Sequence, residues 1–202
     1  MSSIDNYYTI QDTKRTEIKI KSSKFIATAA PVSNIEAAME FVNSVRADFF
    51  DATHNCFAYQ IGWDCNTFRA VDDGEPSGSA GKPILSSIQK FEISDVAVVV
   101  TRYFGGTKLG VGGLVRAYSS ATEEVLSICQ KKIIHRTLPV QINCRYEEIS
   151  LIKRLLNDYA ISFSEEYSDV VVIIANISIS KASEFVTAVS TLTNARATAV
   201  IL

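Results

Sequence analysis

The sequence lacks most of the features that reveal a function at sight. Its longest apolar runs, near residues 96–100 and 170–175, fall far short of the roughly 18 residues a membrane-spanning helix needs and suit buried strands. The opening Met1-Ser-Ser-Ile-Asp-Asn has no basic stretch followed by an apolar one, so it does not read as a secretory leader. The four cysteines, Cys56, Cys65, Cys129 and Cys144, form no Cys-x-x-Cys pair and no zinc-ribbon spacing. Each lies among apolar or strand-like neighbours, which predicts reduced, buried thiols and a cytoplasmic location. The only two histidines, His54 and His135, stand in no Ser-His-Asp arrangement, which weighs against an enzyme. Charge of one sign is also missing. With 20 Lys and Arg against 22 Asp and Glu, the net charge of −2 excludes a strongly basic nucleic-acid coat protein but not a local basic patch.

What is present is a globular composition. The 202 residues are 47% hydrophobic and 21% charged, with only 4 prolines, so the chain can bury a core in one or two domains without staples. Eight of the 9 glycines fall between Gly74 and Gly113 and none follows, which places special backbone in the middle of the chain and none in its last part. From Leu138 the pattern reads β-α-β-β-α-β. It comprises a strand around Val140, Ile142 and Cys144, a helix over 149–159, strands over 161–166 and 170–179, a helix over 181–192 and a strand over 197–202. That order is the ferredoxin-like one. Before it, one or two strands over 16–29, a helix over 34–45, strands over 54–61 and 68–71, a loop over 72–81, a helix over 83–91, a strand over 96–101 and a helix over 112–129 predict a less regular α+β domain. A basic linker over 131–137, holding His135 and a solvated Lys131-Lys132 helix end, separates the domains at 1–135 and 136–202.

Two segments carry chemistry. In Asp72-Asp-Gly-Glu-Pro-Ser-Gly-Ser-Ala-Gly-Lys-Pro83, the carboxylates of Asp72, Asp73 and Glu75 suit oxygen coordination of Mg²⁺, with His54 opening a strand alongside. The same residues more commonly cap a turn and a helix start. Pro76 and Pro83 occupy positions a phosphate-binding Walker loop gives to Gly and Ser or Thr, so that motif is excluded. A Cys56–His54 nucleophile pair is conceivable, but Cys56 reads as a core residue. The second segment runs from Thr101 to Tyr118, a glycine-rich loop between a β-branched strand and a helix. Its amides, held by Gly105, Gly106, Gly110, Gly112 and Gly113, suit an anion at a helix N-terminus. Arg102, Lys108 and Arg116 are the only charged residues from 96 to 122, and Tyr103 and Phe104 are placed to stack on bases.

These residues resemble a known family. Lys24-Phe-Ile, His54-Asn-Cys-Phe-Ala-Tyr59, Asp72-Asp-Gly-Glu-Pro-Ser-Gly78, Ala80-Gly-Lys-Pro-Ile-Leu85 and the segment from Thr101 to Tyr118 resemble the Impact family, in particular its bacterial YigZ-type branch. Ser79 replaces an expected Thr and keeps the hydroxyl. The resemblance implies a ribosomal-protein-S-five domain-two-like N-terminal domain and a ferredoxin-like C-terminal domain similar to those of elongation factor G. Eukaryotic Impact proteins restrain a kinase branch that shuts down translation initiation, through an additional N-terminal partner-binding domain. The motifs matched here do not extend that role to this chain, and no catalytic residue is assigned by the resemblance. Residues 1–137 carry 15 basic and 15 acidic side chains and 138–202 carry 5 and 7, so the C-terminal domain is a poor RNA cradle. The expectation is a regulator of translation that binds RNA, the ribosome or a translation factor through the glycine-rich loop. The alternatives are a metal-assisted hydrolase using Asp72, Asp73 and Glu75, or a protein-interaction adaptor.

Overall fold

A computed structural model describes residues 5–202. Residues 1–4, part of the stretch read as no secretory leader, lie outside the described residues. The chain is α+β and divides into two compact units, one of residues 8–133 and one joining 134–202 to the start of the chain through Tyr7.

In chain order the elements are β1 (Asn6–Ile10), β2 (Lys14–Ile20), β3 (Ser23–Pro31), α1 (Ile35–Asp48), β4 (His54–Ile61), β5 (Thr67–Val71), α2 (Gly81–Lys90), β6 (Val96–Tyr103), α3 (Val111–Ser127) and β7 (Lys131–His135). Five of these strands form one antiparallel sheet in the order β2-β3-β6-β4-β5. Val96 to Thr101 are wholly buried because β6 is the central strand and both its faces are covered. Val96, Val98 and Val100 point toward α2 and α3, where they meet Ile84, Ile88, Leu114 and Tyr118. Ala97 and Val99 point the other way, toward Ala38, Val42 and Val45 of α1. A run buried on both faces shows no alternation, which is why it reads in the sequence as a continuous β-branched stretch. Each such side chain withdrawn from water is worth about 1.5–3 kcal/mol. Asn34 caps α1 by accepting the Ala37 amide at 2.8 Å.

The second unit contains β8 (Thr137–Cys144), α4 (Ile149–Tyr159), β9 (Ala160–Tyr167), β10 (Val171–Ser178), α5 (Ala182–Leu192) and β11 (Thr198–Ile201). The antiparallel sheet order β11-β8-β10-β9 is the ferredoxin-like one that the sequence pattern predicts. Its core joins Val140, Ile142, Ile173 and Ile177 to Ile152, Leu156, Phe185 and Val189.

Four expectations need correction. The stretch over 131–137 is not a bare linker: residues 131–135 form β7, which pairs with β1. Lys131 is therefore no solvated helix end, and its Nζ donates to the Phe91 carbonyl at 2.6 Å. His135 lies in that strand and shares a 2.7 Å hydrogen bond with Asn6. All four cysteines are free, but only Cys56 and Cys144 are buried, with Cys65 and Cys129 half-buried. Special backbone also extends beyond the glycines, since Asn194 and Ala195 take φ of +51° and +59° after α5. Among the described residues no helix is long and apolar enough to cross a membrane.

Candidate functional site

The sequence-predicted residues converge at one end of the five-stranded sheet. There β4 begins at His54, directly opposite Arg102 near the end of β6, and β6 in turn borders the start of β3. Loop 72–80 leaves β5 toward α2, and loop 104–110 leaves β6 toward α3. The acidic loop is tied to the end of β6, where the glycine-rich loop begins, by one buried ion pair, Glu75 to Arg102, at 2.6 Å with side-chain exposures of 3% and 6%.

The acidic loop is organised inward. The Asp72 carboxylate accepts amides of Gly78 at 2.8 Å, Ala80 at 3.0 Å and Gly81 at 2.8 Å, so it ties the loop to the start of α2. Burial pushes its pKa up, but the Gly78, Gly81 and Ala80 amides outweigh that and hold it below the usual value. Asp73 accepts the Asn55 amide and an Arg46 guanidinium N–H, both at 2.7 Å. The Asp73 carbonyl accepts from His54 Nδ1 at 2.8 Å, which leaves His54 Nε2 facing Glu75 at 4.0 Å. Glu75 Oε1 accepts from Arg102 and from the Tyr118 hydroxyl at 2.8 Å. The three carboxylates thus serve three separate sets of donors rather than one centre. No group of three or more His, Cys, Asp or Glu among the described residues is placed to hold a metal ion. The chemistry of the donor set does not fit the Mg²⁺ that the acidic cluster suggests.

Cys56 is equally unsuited to nucleophilic work. Its Sγ lies 2.9 Å from the Asp72 carbonyl oxygen and 3.3 Å from the Tyr118 hydroxyl, and burial pushes its pKa up to about 12. A thiol held that high carries almost no thiolate at neutral pH. Burial also raises the Tyr118 hydroxyl, which remains a proton donor to Glu75.

The glycine-rich loop is pinned at its start and open at its end. Ser23 Oγ accepts the Gly105 amide at 3.3 Å, and Thr53 Oγ1 accepts the Phe104 amide at 3.0 Å. A Cβ on Gly105 would stand 1.7 Å from the Ser22 carbonyl oxygen, so only glycine allows the loop to lie on the β2–β3 turn. Arg102 is not an exposed phosphate contact. Its guanidinium carbon lies 5.5 Å from the Phe25 ring centroid and 5.3 Å from that of Phe104, and its Nε has no hydrogen-bond partner. Tyr103 is also engaged, donating to Asp51 at 2.7 Å beneath Lys24, whose Nζ is 4.8 Å from the ring. By contrast, Lys108 and Arg116 are exposed and make no hydrogen bond or ion pair with any described residue.

The N-terminus of α3 is uncapped, since Gly110 supplies no side chain to the first amides. A Cβ on Gly113 would stand 3.0 Å from Leu109 Cβ, and Gly106 takes a positive φ of +83°. Gly112 has neither reason to be glycine: it is exposed, its φ is not positive and a Cβ there would meet nothing within 4 Å. Packing within the chain does not account for it, whereas close approach by a ligand would.

Between the loops lies a cavity of about 370 Å³. Glu75, Arg102 and Leu114 form its buried lining, with Leu109 half-buried, and Pro76, Phe104, Lys108, Gly110 and Val111 line its exposed part. Of this lining the sequence pattern picks out Glu75, Arg102, Phe104, Lys108 and Gly110, but it gives no sign of the apolar wall or of the role of Tyr118, the residue that couples Glu75 to Cys56. The only signal for Tyr118 is its place at the end of the Thr101–Tyr118 motif, one turn from Leu114 on the same face of α3.

Comparison with known proteins identifies the family. The Impact N-terminal domain matches residues 21–126, which include both loops. The chain is 44% identical over 124 residues to the Bacillus subtilis protein "IMPACT family member YvyE", covering 61% of this chain and 57% of that one. It is 38% identical over 143 residues to the Escherichia coli protein "IMPACT family member YigZ", covering 68% and 69%. The chain thus spans little more than half the Bacillus relative's length and about two thirds of the Escherichia one. A crystal structure described as that of a hypothetical protein superimposes with a TM-score of 0.70 at 29% identity, covering 99% of this chain and 98% of that one. The domain match and the relatives together place this chain in the Impact family.

Proposed function

We infer that the chain is a regulator of translation that contacts RNA, and that it does so through the open end of the glycine-rich loop. The observation that carries this reading is the pairing of an uncapped α3 N-terminus with two unpaired, exposed cations, Lys108 and Arg116, around a glycine at 112 that packing does not require. Amides at a helix start and nearby cations complement a phosphate oxygen, and the macrodipole adds to the attraction. Phe104, 45% exposed beside them, offers a face for stacking. Membership of a family whose eukaryotic proteins act on translation gives the RNA a context.

The division of labour differs from a simple basic patch. Arg102 supports the loop from within, held by Glu75 and Ser23, while Lys108 and Arg116 meet the ligand. No observation favours the metal-assisted hydrolase, because Asp72, Asp73 and Glu75 face three separate sets of donors rather than one centre. Cosedimentation with ribosomes and with total RNA across a salt series tests the reading. The expected result is salt-sensitive association of the native chain that is lost in Lys108→Ala/Arg116→Ala. No association at low salt would overturn it.

A further inference from the structure

Glu75 presents an asymmetry that the ion pair does not explain. Its Oε1 accepts from both Arg102 and Tyr118, while Oε2 accepts no hydrogen bond from any described residue. The side chain is only 3% exposed, yet it lines the cavity between the loops. Oε2 is not among the buried polar atoms left without a partner, so it meets the open space of the cavity, where a ligand N–H can take the place of water. The rest of the cavity describes the ligand's other parts. Phe104 is half-exposed and backed by the Arg102 guanidinium, so it presents a flat, polarised ring to the opening. Leu109 and Leu114 supply apolar walls, and Lys108 stands at the exposed part next to the start of α3.

We propose that this cavity seats one unpaired nucleotide unit, with an amino-bearing base inside and its phosphate at Lys108 and the α3 N-terminus. The base stacks on Phe104, and its exocyclic amine donates to Glu75 Oε2. Adenine, cytosine and guanine carry that amine. Uracil presents carbonyl oxygens on either side of its only ring N–H, and these face the carboxylate unfavourably, so it binds more weakly. The volume of about 370 Å³ lies near the lower end for small-ligand sites, which suits one base rather than several. This inference deepens the RNA reading and rests on it only for the source of the nucleotide. The same chemistry is offered by a single-stranded RNA and by a free nucleoside monophosphate.

The test uses the full chain with four probes: short single-stranded RNAs with A, C, G or U at one position, the same RNA with an abasic residue there, the four nucleoside monophosphates, and inorganic phosphate. Binding is read by fluorescence anisotropy for RNA and by NMR shift perturbation for the mononucleotides. The expected order places the amino-bearing bases above U and U above the abasic probe. Phe104→Ala should weaken the preferred RNA by about 5- to 100-fold, with Phe104→Tyr restoring it. Val111→Trp, at an exposed position lining the cavity, should block the base without disturbing the buried pair. Glu75→Gln is read only if its circular dichroism matches the native chain, in which case discrimination against U should shrink. RNA that binds equally well with and without the base, unaffected by Phe104→Ala and Val111→Trp, would overturn the base pocket while leaving the RNA reading intact. Mononucleotides that bind with the expected preference while no RNA binds would support the pocket and overturn the RNA reading. Absence of binding by every nucleotide probe, or response to inorganic phosphate alone, would overturn the pocket.

Discussion

Replacing Glu75 by Ala tests whether the two loops are held together from inside. The substitution removes the acceptor of both the Arg102 N–H at 2.6 Å and the Tyr118 hydroxyl at 2.8 Å. It leaves a guanidinium, exposed by only 6%, without its counter-ion. Breaking a buried pair from one side costs about 3–5 kcal/mol, far above the roughly 0–1 kcal/mol of an exposed pair. For a unit of residues 8–133, that corresponds to a fall in Tm of about 10–20 °C. The assay is urea unfolding followed by far-ultraviolet circular dichroism and by the emission of Trp63, the only tryptophan, which belongs to that unit. Glu75→Gln/Arg102→Met removes both charges and should recover much of the loss, so the double variant will be more stable than the sum of its singles. A loss below about 1 kcal/mol in Glu75→Ala would place the pair in the surface class and refute the reasoning. Additive effects in the double variant would refute the coupling.

Three further outcomes follow from the same geometry. Gly112→Ala should raise stability by about 0.4–1 kcal/mol, because alanine costs less than glycine in a helix, while weakening RNA binding through its new Cβ. Stabilisation without any loss of binding in filter assays would show that Gly112 is not a close-approach position. Asp72 has a pKa below its ordinary value of 3.8 in the folded chain, so its contribution is complete above that value and is lost as pH falls through the lower folded pKa. Asp72→Asn should therefore flatten the loss of stability below about pH 4, and acid unfolding curves that coincide for the two chains would contradict this. With its pKa near 12, Cys56 should resist iodoacetamide at pH 8 in the folded chain while half-buried Cys65 is labelled, as read by mass spectrometry of the peptides. Early labelling of Cys56 would contradict the closed network.

The sequence was most legible where periodicity and topology coincide. The ferredoxin-like order is readable because its strands and helices are each half-buried and keep a clear period, as Val140, Ile142 and Cys144 do on β8. β1 and β7 were not legible, because a two-stranded ribbon largely outside the main cores carries little apolar alternation: Lys131, Lys132 and His135 are all exposed. The site was half legible. Glycine density marked the loop, but sequence alone gives every cation in it equal standing, whereas burial divides Arg102 from Lys108 and Arg116. The acidic cluster invited a metal because three carboxylates are close in sequence. Turn geometry instead sends Asp72 to amides, Asp73 to Arg46 and Glu75 to Arg102. The cavity was invisible because Leu109 and Leu114 read as ordinary helix and loop residues until the loops are brought together.

The most direct test of the central claim is the salt dependence of single-stranded RNA affinity for the native chain and for Lys108→Ala/Arg116→Ala. If these two side chains contact phosphates, the slope of log K against log salt should flatten by about 1.4, roughly 0.7 per lost contact, with the folded structure unchanged. An unchanged slope and affinity in the double variant would contradict the assignment of RNA contact to the open end of the glycine-rich loop.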